Sequence, residues 1–340
     1  MLRIIKDNYI ATRVMPISAS IGASAITATS GIGDYSTLIR AGAGRAAATF
    51  KTPFSRVPIT IGCPGAGAAN GSFFANASPL VGSSEFDVLD DSGVAANKPF
   101  FALTIGSDSK ESARLKSIYS VKTTFRKPRL LAFVVNGTGT ASITVGAFQA
   151  TLTDNGTGDY TLTFNNPFGT APIVVATPLH ASSTASSCRV QSVSPTQVNI
   201  LTFNGTPSAS DRIFHVWVLG FDATTSAINA RRPIHTPQRK PRIIWGRVIY
   251  TGGVPSVSVN PGQVSVVDTG VGNVALTLVT PFKRAPICIC SGAQANRAQL
   301  ISATSTAVSL LSLDAEDSAS DSSIMFAILG FDDVDEFGEN

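Results

Sequence analysis

Charged residues are scarce in this sequence, and their scarcity excludes several classes of protein. They make up 14% of its 340 residues, against 44% hydrophobic residues, and the formal net charge is only +4. A disordered segment combines few apolar residues with a high net charge, and a protein that coats nucleic acid carries a basic face. The composition therefore favours a compact, weakly charged protein, and we expect no nucleic-acid partner.

Cysteines and long apolar runs are scarce too. The four cysteines, Cys63, Cys188, Cys288 and Cys290, follow neither a CxxC nor a zinc-ligand spacing, so we expect buried, reduced thiols. No apolar run reaches the roughly 20 residues that span a bilayer, and the N-terminal residues lack the hydrophobic region of a signal peptide. These absences predict a soluble chain that is made in the cytoplasm and has no membrane partner.

The sequence does contain one motif that occurs three times. A Pro-Phe pair followed by Pro-Ile recurs with a constant spacing of 114 residues (167 − 53 and 281 − 167), and a closing glycine recurs at offsets of 114 (220 − 106) and then 110 residues (330 − 220). This period is longer than the roughly 20 to 50 residues of solenoid repeats, so it indicates units that fold on their own. The anchors of the repeat are Pro53, Phe54, Pro58 and Gly106; Pro167, Phe168, Pro172 and Gly220; and Pro281, Phe282, Pro286 and Gly330.

The central copy shows its secondary structure most clearly. Tyr160, Leu162 and Phe164 fall on one face of a segment with period-two alternation, and the run from Ile213 to Phe221 alternates in the same way. Short apolar segments are separated by clusters of Gly, Pro, Asn and Asp, which form turns. The expected fold is all-β, with three tandem antiparallel β-sandwich (jelly-roll-like) domains of about 100 residues each.

The same patterns predict the domain boundaries. Helix is predicted only in the segment from Ser109 to Tyr119 and in the N-terminal segment from Ile4 to Met15. The predicted parts are a first β-sandwich with an N-terminal extension (1–108), a basic linker (109–125), a second β-sandwich (126–222), a basic linker (223–238), a third β-sandwich (239–333) and an acidic tail (334–340).

The anchors have structural explanations in such a fold. A proline cannot donate to a strand ladder, so the first proline of each copy ends a strand, and the second sets the start of the next strand. The phenylalanine plugs the sandwich edge where the chain crosses between sheets, and the closing glycine permits a bulge or the close approach of another backbone. Because the copies share Pro, Phe and Gly, the repeat preserves packing rather than chemistry.

Residues that carry catalysis are few and do not recur among the copies. His180, His215 and His235 occupy non-equivalent positions, and His215, inside an alternating strand, is expected to be packed or surface-facing rather than to act as a general base. Glycine pairs such as Gly156 and Gly158 precede a strand instead of a helix, so they predict hairpin turns and not a phosphate loop. We expect no catalytic residue and no cofactor.

Acidic residues form two clusters ahead of the acidic C-terminal end. The stretch from Asp314 to Asp321 lacks the glycine placement of an EF-hand loop, so we interpret it as a solvated hairpin loop, with a hard-cation site as the alternative. The second cluster consists of Glu85, Asp87, Asp90 and Asp91. We interpret it as part of a surface of mixed charge rather than as a hydrolytic pair of carboxylates, and we expect no metal ion.

Charge is distributed unevenly along the chain. The two joints between copies are basic, and the C-terminal end is acidic. These charges either keep exposed segments in solution or dock an acidic tail against the basic joint of a neighbouring subunit. The candidate docking residues are Arg126, Lys127, Arg129, Arg231, Arg232, Arg239, Lys240, Arg242, Asp332, Asp333, Asp335 and Glu336.

One part of the central copy combines a glycine turn, an alternating strand and both prolines. It reads Gly156-Thr157-Gly158-Asp159-Tyr160-Thr161-Leu162-Thr163-Phe164, then Pro167-Phe168 and Pro172-Ile173-Val174-Val175, and closes with Val216-Trp217-Val218-Leu219-Gly220-Phe221-Asp222. In this pattern the chain resembles tandem β-sandwich structural proteins of tailed-bacteriophage virions, found in capsid decoration and tail-fibre modules and, more loosely, in trimeric lectin-like heads. Those heads trimerise single domains, whereas this chain already contains three copies, which predicts a pseudo-threefold arrangement.

The resemblance implies a non-enzymatic virion protein. The first hypothesis is a capsid decoration or cement protein that bridges shell subunits, is present in many copies and has other virion proteins or copies of itself as partners. The alternative is a tail-associated fibre or adhesin that binds host surface glycans, and a glycan depolymerase is a third reading. Glycan contacts would be sought at aromatic residues that the copies do not share, namely Phe73, Phe74, Trp245 and Tyr250.

Overall fold

The computed structural model describes the chain in thirteen stretches, and every structural statement below refers to these residues. They are 2–7, 10–30, 35–65, 73–90, 92, 94–108, 128–179, 186–204, 208–221, 242–259, 262–293, 296–314 and 318–330. The predicted helix from Ser109 to Tyr119 and both predicted linkers lie outside them.

The chain folds as an all-β protein, as predicted. Alternation drives this outcome: in the strand Asp159–Phe164 every second side chain is buried, and β-branched and aromatic residues prevail in the strands. The first strands are β1 (Leu2–Asp7), β2 (Ile10–Ile21), β3 (Ile26–Ser30), β4 (Tyr35–Gly42), β5 (Arg45–Phe50), β6 (Ile59–Pro64), β7 (Phe73–Pro79), β8 (Ser83–Leu89) and β9 (Pro99–Asp108).

The remaining strands fall into two groups of eight, separated by residues 222–241. The first group is β10 (Pro128–Asn136), β11 (Ser142–Val145), β12 (Ala150–Gly156), β13 (Asp159–Phe164), β14 (Ile173–Pro178), β15 (Ser186–Val193), β16 (Gln197–Asn204) and β17 (Ile213–Phe221). The second group is β18 (Arg242–Thr251), β19 (Val254–Val259), β20 (Val264–Gly270), β21 (Asn273–Leu278), β22 (Ile287–Ala293), β23 (Arg297–Ala303), β24 (Ala307–Leu313) and β25 (Ile324–Gly330). A short 3-10 turn at Ala147–Gln149 precedes β12.

Strand order repeats along with the sequence. We call residues 10–108, 128–221 and 242–330 the first, second and third repeats. In the second repeat one antiparallel sheet has the order β11-β10-β17-β14 and the other β12-β13-β16-β15, and the third repeat shows the same orders as β19-β18-β25-β22 and β20-β21-β24-β23. The first repeat follows suit with β3-β2-β9-β6 and β4-β5-β8-β7, and β1 adds a further pairing to β2.

The predicted helix from Ile4 to Met15 is wrong, since the described residues of that segment, 4–7 and 10–15, lie in β1 and β2. Met15, Ile17 and Ala19 point into the core of the first repeat, while Val14 faces the opposite side of the sheet. A strand buried on both faces shows little polar alternation, so its short apolar runs are easily read as a helix face.

Each repeat has an apolar core between its own two sheets, and a further core lies between the repeats. We call the latter the central core. Strands at equivalent positions of all three repeats contribute to it. Its buried members are Val14, Ile59, Ile61, Leu103 and Ile105 from the first repeat, Ala132, Ile173, Val175, Trp217 and Leu219 from the second, and Ile243, Trp245, Ile287, Ile289, Met325, Ala327 and Leu329 from the third.

The central core distributes side-chain volume unequally among the repeats. In the second repeat Trp217 lies opposite Ala132 on the neighbouring strand, and in the third Trp245 lies opposite Ala327. The large residue is therefore on the last strand of one repeat and on the first strand of the other. Such a swap conserves side-chain volume within each sheet, but the two repeats contribute their tryptophan to the central core from different strands.

The repeats contact one another in cyclic order. Strand β6 lies beside β15 of the second repeat, β14 beside β23 of the third, and β22 beside β7 of the first. The last contact is a parallel pairing, Gly292 with Ala75, which joins sheets of the third and first repeats into one eight-stranded sheet. A parallel bridge between Leu179 and Leu300 joins the second and third repeats. Each repeat therefore contacts the next through equivalent strands, and the three contacts form a closed ring.

Candidate functional site

The ends of β6, β14 and β22 meet where the three repeats converge. Each strand carries a small polar residue at the same position, ten residues after the first proline of its repeat. Each of these side chains donates a hydrogen bond to a backbone carbonyl of the next repeat in the ring. The bonds run from Cys63 Sγ to Val174 O (3.4 Å), from Thr177 Oγ1 to Cys290 O (3.3 Å) and from Ser291 Oγ to Thr60 O (3.3 Å).

A cavity of about 40 Å³ lies at this convergence, and we call it the axial cavity. Cys63, Thr177 and Ser291 line it, together with a second set of equivalent positions, Phe74, Cys188 and Ala298. This site was not predicted from the sequence, because the equivalent residues differ in type from one repeat to the next. The constant distance of Cys63, Thr177 and Ser291 from the first proline of each repeat was the available signal.

All four cysteines are free and buried, which confirms the prediction of reduced thiols. Burial raises the pKa of Cys63 to about 12 and raises the pKa of Cys188, Cys288 and Cys290 as well. The thiols are therefore protonated at neutral pH, and they behave as small apolar groups with weak donors.

His215 is packed between the second and third repeats, so of the two positions expected for it the buried one is correct. Its Nδ1 accepts a hydrogen bond from the backbone N–H of Cys288 at 3.0 Å, which assigns the ring proton to Nε2. Burial lowers the pKa of His215 to about 4, against a weaker raising effect of the Cys288 contact. The ring is therefore neutral at physiological pH, and its charging in the folded state is unfavourable.

Acid is expected to weaken the contact that His215 makes. The unfolded chain binds a proton near pH 6.5 and the folded chain only near pH 4, so this contribution to stability is complete above pH 6.5 and is lost as the pH falls toward 4. The expected loss between pH 7 and pH 5 is about 2 kcal/mol. Urea unfolding of the wild type and of His215→Asn at both pH values measures it. Asparagine keeps an acceptor but does not titrate, so equal pH dependence of the two proteins would contradict the assignment.

The repeated phenylalanine and glycine belong to a stack that includes an arginine. In the second repeat the guanidinium of Arg129 lies 4.1 Å from the ring centroid of Phe168, and the same ring packs closely against Gly220. Arg13 with Phe54 and Arg242 with Phe282 repeat the arrangement at 3.8 and 4.0 Å. Each arginine also donates to a backbone carbonyl just before the phenylalanine, namely that of Thr52 (2.7 Å), Asn166 (2.6 Å) or Thr280 (2.8 Å).

This stack refines the explanations given for the anchors. The close approach that the closing glycine permits is that of the phenylalanine ring, and not of another backbone. Within each Pro-Phe pair the phenylalanine is buried and the proline exposed, while the second proline is buried. The arginine was not predicted as an anchor, since its spacing from the other anchors varies by a few residues among the repeats.

The candidate docking residues divide into two groups. Arg129 and Arg242 are the first-strand arginines of these stacks, so each is held inside its own repeat. The others lie outside the described residues, and docking through them stays a prediction. These are Arg126, Lys127, Arg231, Arg232, Arg239, Lys240, Asp332, Asp333, Asp335 and Glu336.

A second repeated contact locks the hairpin turns, which form at the glycine pairs as predicted. In the second repeat Gly158 adopts φ +68° and its N–H donates to Oδ1 of Asp211 at 2.7 Å. The same oxygen accepts the hydroxyl of Tyr160 at 2.7 Å. Gly44 with Asn97 (2.9 Å) and Gly272 with Asp321 (2.7 Å) make the equivalent contact. Asp321, considered above as a cation ligand, thus has a structural hydrogen bond.

Replacing Asp211 should therefore distinguish an oxygen acceptor from a charge. We expect Asp211→Ala to lower the free energy of unfolding by about 1 to 2 kcal/mol, because the amide of Gly158 loses its partner. Asp211→Asn should cost much less, since Asn97 supplies the same oxygen in the first repeat. Urea unfolding of both variants measures this, and an equal loss in both would show that the negative charge matters instead.

The other residues singled out in the sequence have local roles. Asp87 receives a bidentate hydrogen bond from Arg45 at 2.7 and 2.9 Å, and Asp90 accepts two backbone amides of its own turn. Phe74 and Trp245 are buried, which contradicts their use as stacking platforms for glycans. His180, His235 and Asp91 lie outside the described residues.

The described residues contain no cluster of three His, Cys, Asp or Glu side chains arranged to hold a metal ion. Likewise, the described stretches hold no helix of the length and apolarity needed to cross a bilayer. Comparison of the chain with protein-family models, with curated proteins and with solved structures gave no match.

Proposed function

We propose that this chain is a non-enzymatic structural protein of a tailed-bacteriophage virion, which decorates the capsid and bridges subunits of its shell. In this proposal the three repeats are tandem β-sandwich, jelly-roll-like domains of about 100 residues each. The observation that carries it is the closed ring: three repeats share one central core and contact one another through the same edge.

A closed ring of three unequal repeats suits a position where several shell subunits meet. The shared core restricts motion of the repeats, so their outer faces have fixed relative positions. Those faces differ between repeats. In the first repeat Arg45 pairs with Asp87. The equivalent position of the second repeat is Asp159, which accepts a hydrogen bond from Nδ2 of Asn199 at 2.5 Å. Rigid placement with divergent faces fits a body that contacts non-equivalent neighbours.

The copy number of the chain in purified virions tests the proposal. A decoration protein is expected on the order of hundreds of copies per particle, arranged with the symmetry of the shell. Quantitative mass spectrometry against the major shell protein, with cryo-electron microscopy to locate the chain, measures both quantities. A handful of copies at the tail would overturn the decoration role and favour the fibre or adhesin, and measurable glycan hydrolysis would overturn the non-enzymatic assignment.

Charge reversal tests the docking of the acidic tail against a basic joint. Changing Asp332, Asp333, Asp335 and Glu336 to lysine should reduce attachment to shells that lack the protein, and reversing the joint to glutamate at Arg231, Arg232, Arg239 and Lys240 should do the same. Combining the two reversals should restore attachment, because the attraction between opposite charges is restored. Arg242 is left unchanged, since it supports Phe282.

A further inference from the structure

The ring of repeats leaves one edge strand in each of three sheets without a neighbour. We call these sheets, which contribute no residue to the central core, the outer sheets: β4-β5-β8-β7, β12-β13-β16-β15 and β20-β21-β24-β23. At one edge of them, β7, β15 and β23 contact another repeat. At the opposite edge, β4, β12 and β20 pair only with β5, β13 and β21 in the described part of the chain. We call these three strands the outer edges.

An outer edge presents backbone groups that a strand of another molecule can bind. The unpaired N–H and C=O groups of an edge strand form a template for such pairing, and proteins usually block it with lysine, proline or a covering segment. The strand β20 contains neither proline nor a basic residue, and most of its residues are exposed. Its backbone therefore suits the addition of a further strand.

The side chains of the outer edges indicate which of them form contacts. Ile39 on β4 is 57% exposed and Val267 on β20 is 56% exposed, and each lies opposite an alanine of the neighbouring strand. The equivalent residue of the second repeat is Thr153, which shows that the fold does not require an apolar side chain here. A single exposed valine is ordinary on a protein surface. Apolar side chains at the same edge position of two repeats point to two contact surfaces.

The next residue along these strands gives the two surfaces opposite charges. It is Arg40 in the first repeat and Asp268 in the third, while the second repeat has Asp154. Nε of Arg40 donates to the carbonyl of Gly22 at 3.0 Å, but a carbonyl is neutral and leaves the positive charge in place. Neither Arg40 nor Asp268 forms an ion pair within the described residues. The edges β4 and β20 are therefore complementary to each other, and neither is complementary to itself.

We propose that β4 of one molecule pairs with β20 of a second copy of this chain in an antiparallel arrangement. With Ile39 opposite Val267 of the second copy, Arg40 reaches Asp268 diagonally, since diagonal neighbours across a strand pair lie roughly 7 to 8 Å apart. The two surfaces differ, so the contact is heterologous, and each copy can bind two neighbours through its two edges. This association does not depend on the proposed role in a virion.

The contact is weak in dilute solution. One added strand pair buries less than the roughly 1,200 Å² of a stable interface, so we expect a dissociation constant on the order of 1 mM. At the micromolar concentrations of unfolding experiments the chain is therefore monomeric. Copies that are held side by side on a common support would associate more strongly, because their effective concentration is higher.

Charge reversal combined with sedimentation tests the pairing. The average mass of the wild type should rise as its concentration approaches about 1 mM, and Asp268→Arg should lower the association constant about fivefold. Asp154→Arg is the matched control: both carboxylates accept the backbone N–H of their own turn, from Gly270 and Gly156, at 2.9 Å. The control should associate like the wild type. Adding Arg40→Asp to Asp268→Arg should restore association. A mass that stays monomeric, or an equal loss in the control, would overturn the proposal.

Disulfide trapping identifies the strands that meet. The four native cysteines are buried, so in oxidised glutathione the introduced thiols react first. A mixture of the Ile39→Cys and Val267→Cys chains should form the mixed dimer at least about tenfold faster than either chain forms a dimer with itself, because only unlike edges pair. A mixture of the Ile39→Cys and Thr153→Cys chains is the control and should react slowly. Equal rates in all mixtures, or a faster dimer of Val267→Cys with itself, would contradict the pairing of β4 with β20.

Discussion

Replacing Trp217 with alanine is expected to lower the free energy of unfolding by about 3 to 5 kcal/mol, the range observed for large aromatic residues removed from cores. The side chain is completely buried in the central core, where residues of all three repeats meet. The surrounding side chains can fill little of the lost volume, because the cross-strand neighbour of Trp217 is the small Ala132. Equilibrium urea unfolding, followed by circular dichroism, measures the loss.

The third repeat provides a control for this prediction. There the tryptophan is on the first strand and alanine on the last, as Trp245 and Ala327. The double variant Ala132→Trp with Trp217→Ala copies that arrangement and should recover part of the loss, because it restores the volume. A loss below about 1 kcal/mol in Trp217→Ala would mean that the repeats do not share a packed core in solution.

Gly220→Ala is expected to cost about 3 kcal/mol, near the upper end of the usual range for overpacking a core. An added methyl group would lie 2.5 Å from Cδ1 of Phe168 and 2.9 Å from Cβ of Pro172, and both neighbours are buried. The ring has little room to move, since it is buried and the guanidinium of Arg129 lies 4.1 Å from its centroid. Thermal and urea unfolding both report the change.

The specificity of this effect is checked at two further positions. Gly262→Ala should be nearly neutral, because an added methyl group there meets nothing within 4 Å. Adding Phe168→Leu to Gly220→Ala should make the two effects clearly non-additive, since both act on one contact. Additive losses would show that the glycine is needed for another reason.

Sequence alone was sufficient for much of the local structure of this protein. Period-two alternation located the strand Ile213–Phe221 at its observed bounds and placed Tyr160, Leu162 and Phe164 on one face of β13. It failed in β2, where both faces are buried and alternation is weak. In β2 the repeat indicates a strand better than local periodicity does, because Arg13 pairs with Gly106 in the same way as Arg129 pairs with Gly220.

The candidate site could not be predicted in the same way. Its residues are brought together by packing between repeats, and no local pattern reports which sheet face meets which. Cys63, Thr177 and Ser291 each donate a hydrogen bond to the next repeat, but their side chains differ. A search for identical residues therefore does not find them. The same applies to Asn97, Asp211 and Asp321, which share only a side-chain oxygen.

The cyclic contact between repeats also determines how the protein responds to dilution. Three separate chains that closed the same ring would dissociate as their concentration falls, because each association costs translational freedom. Here the three repeats belong to one chain, so each repeat experiences an effective local concentration of its neighbours, on the order of millimolar. The ring between β22 and β7 should therefore close in a single molecule, and the melting temperature should be independent of protein concentration.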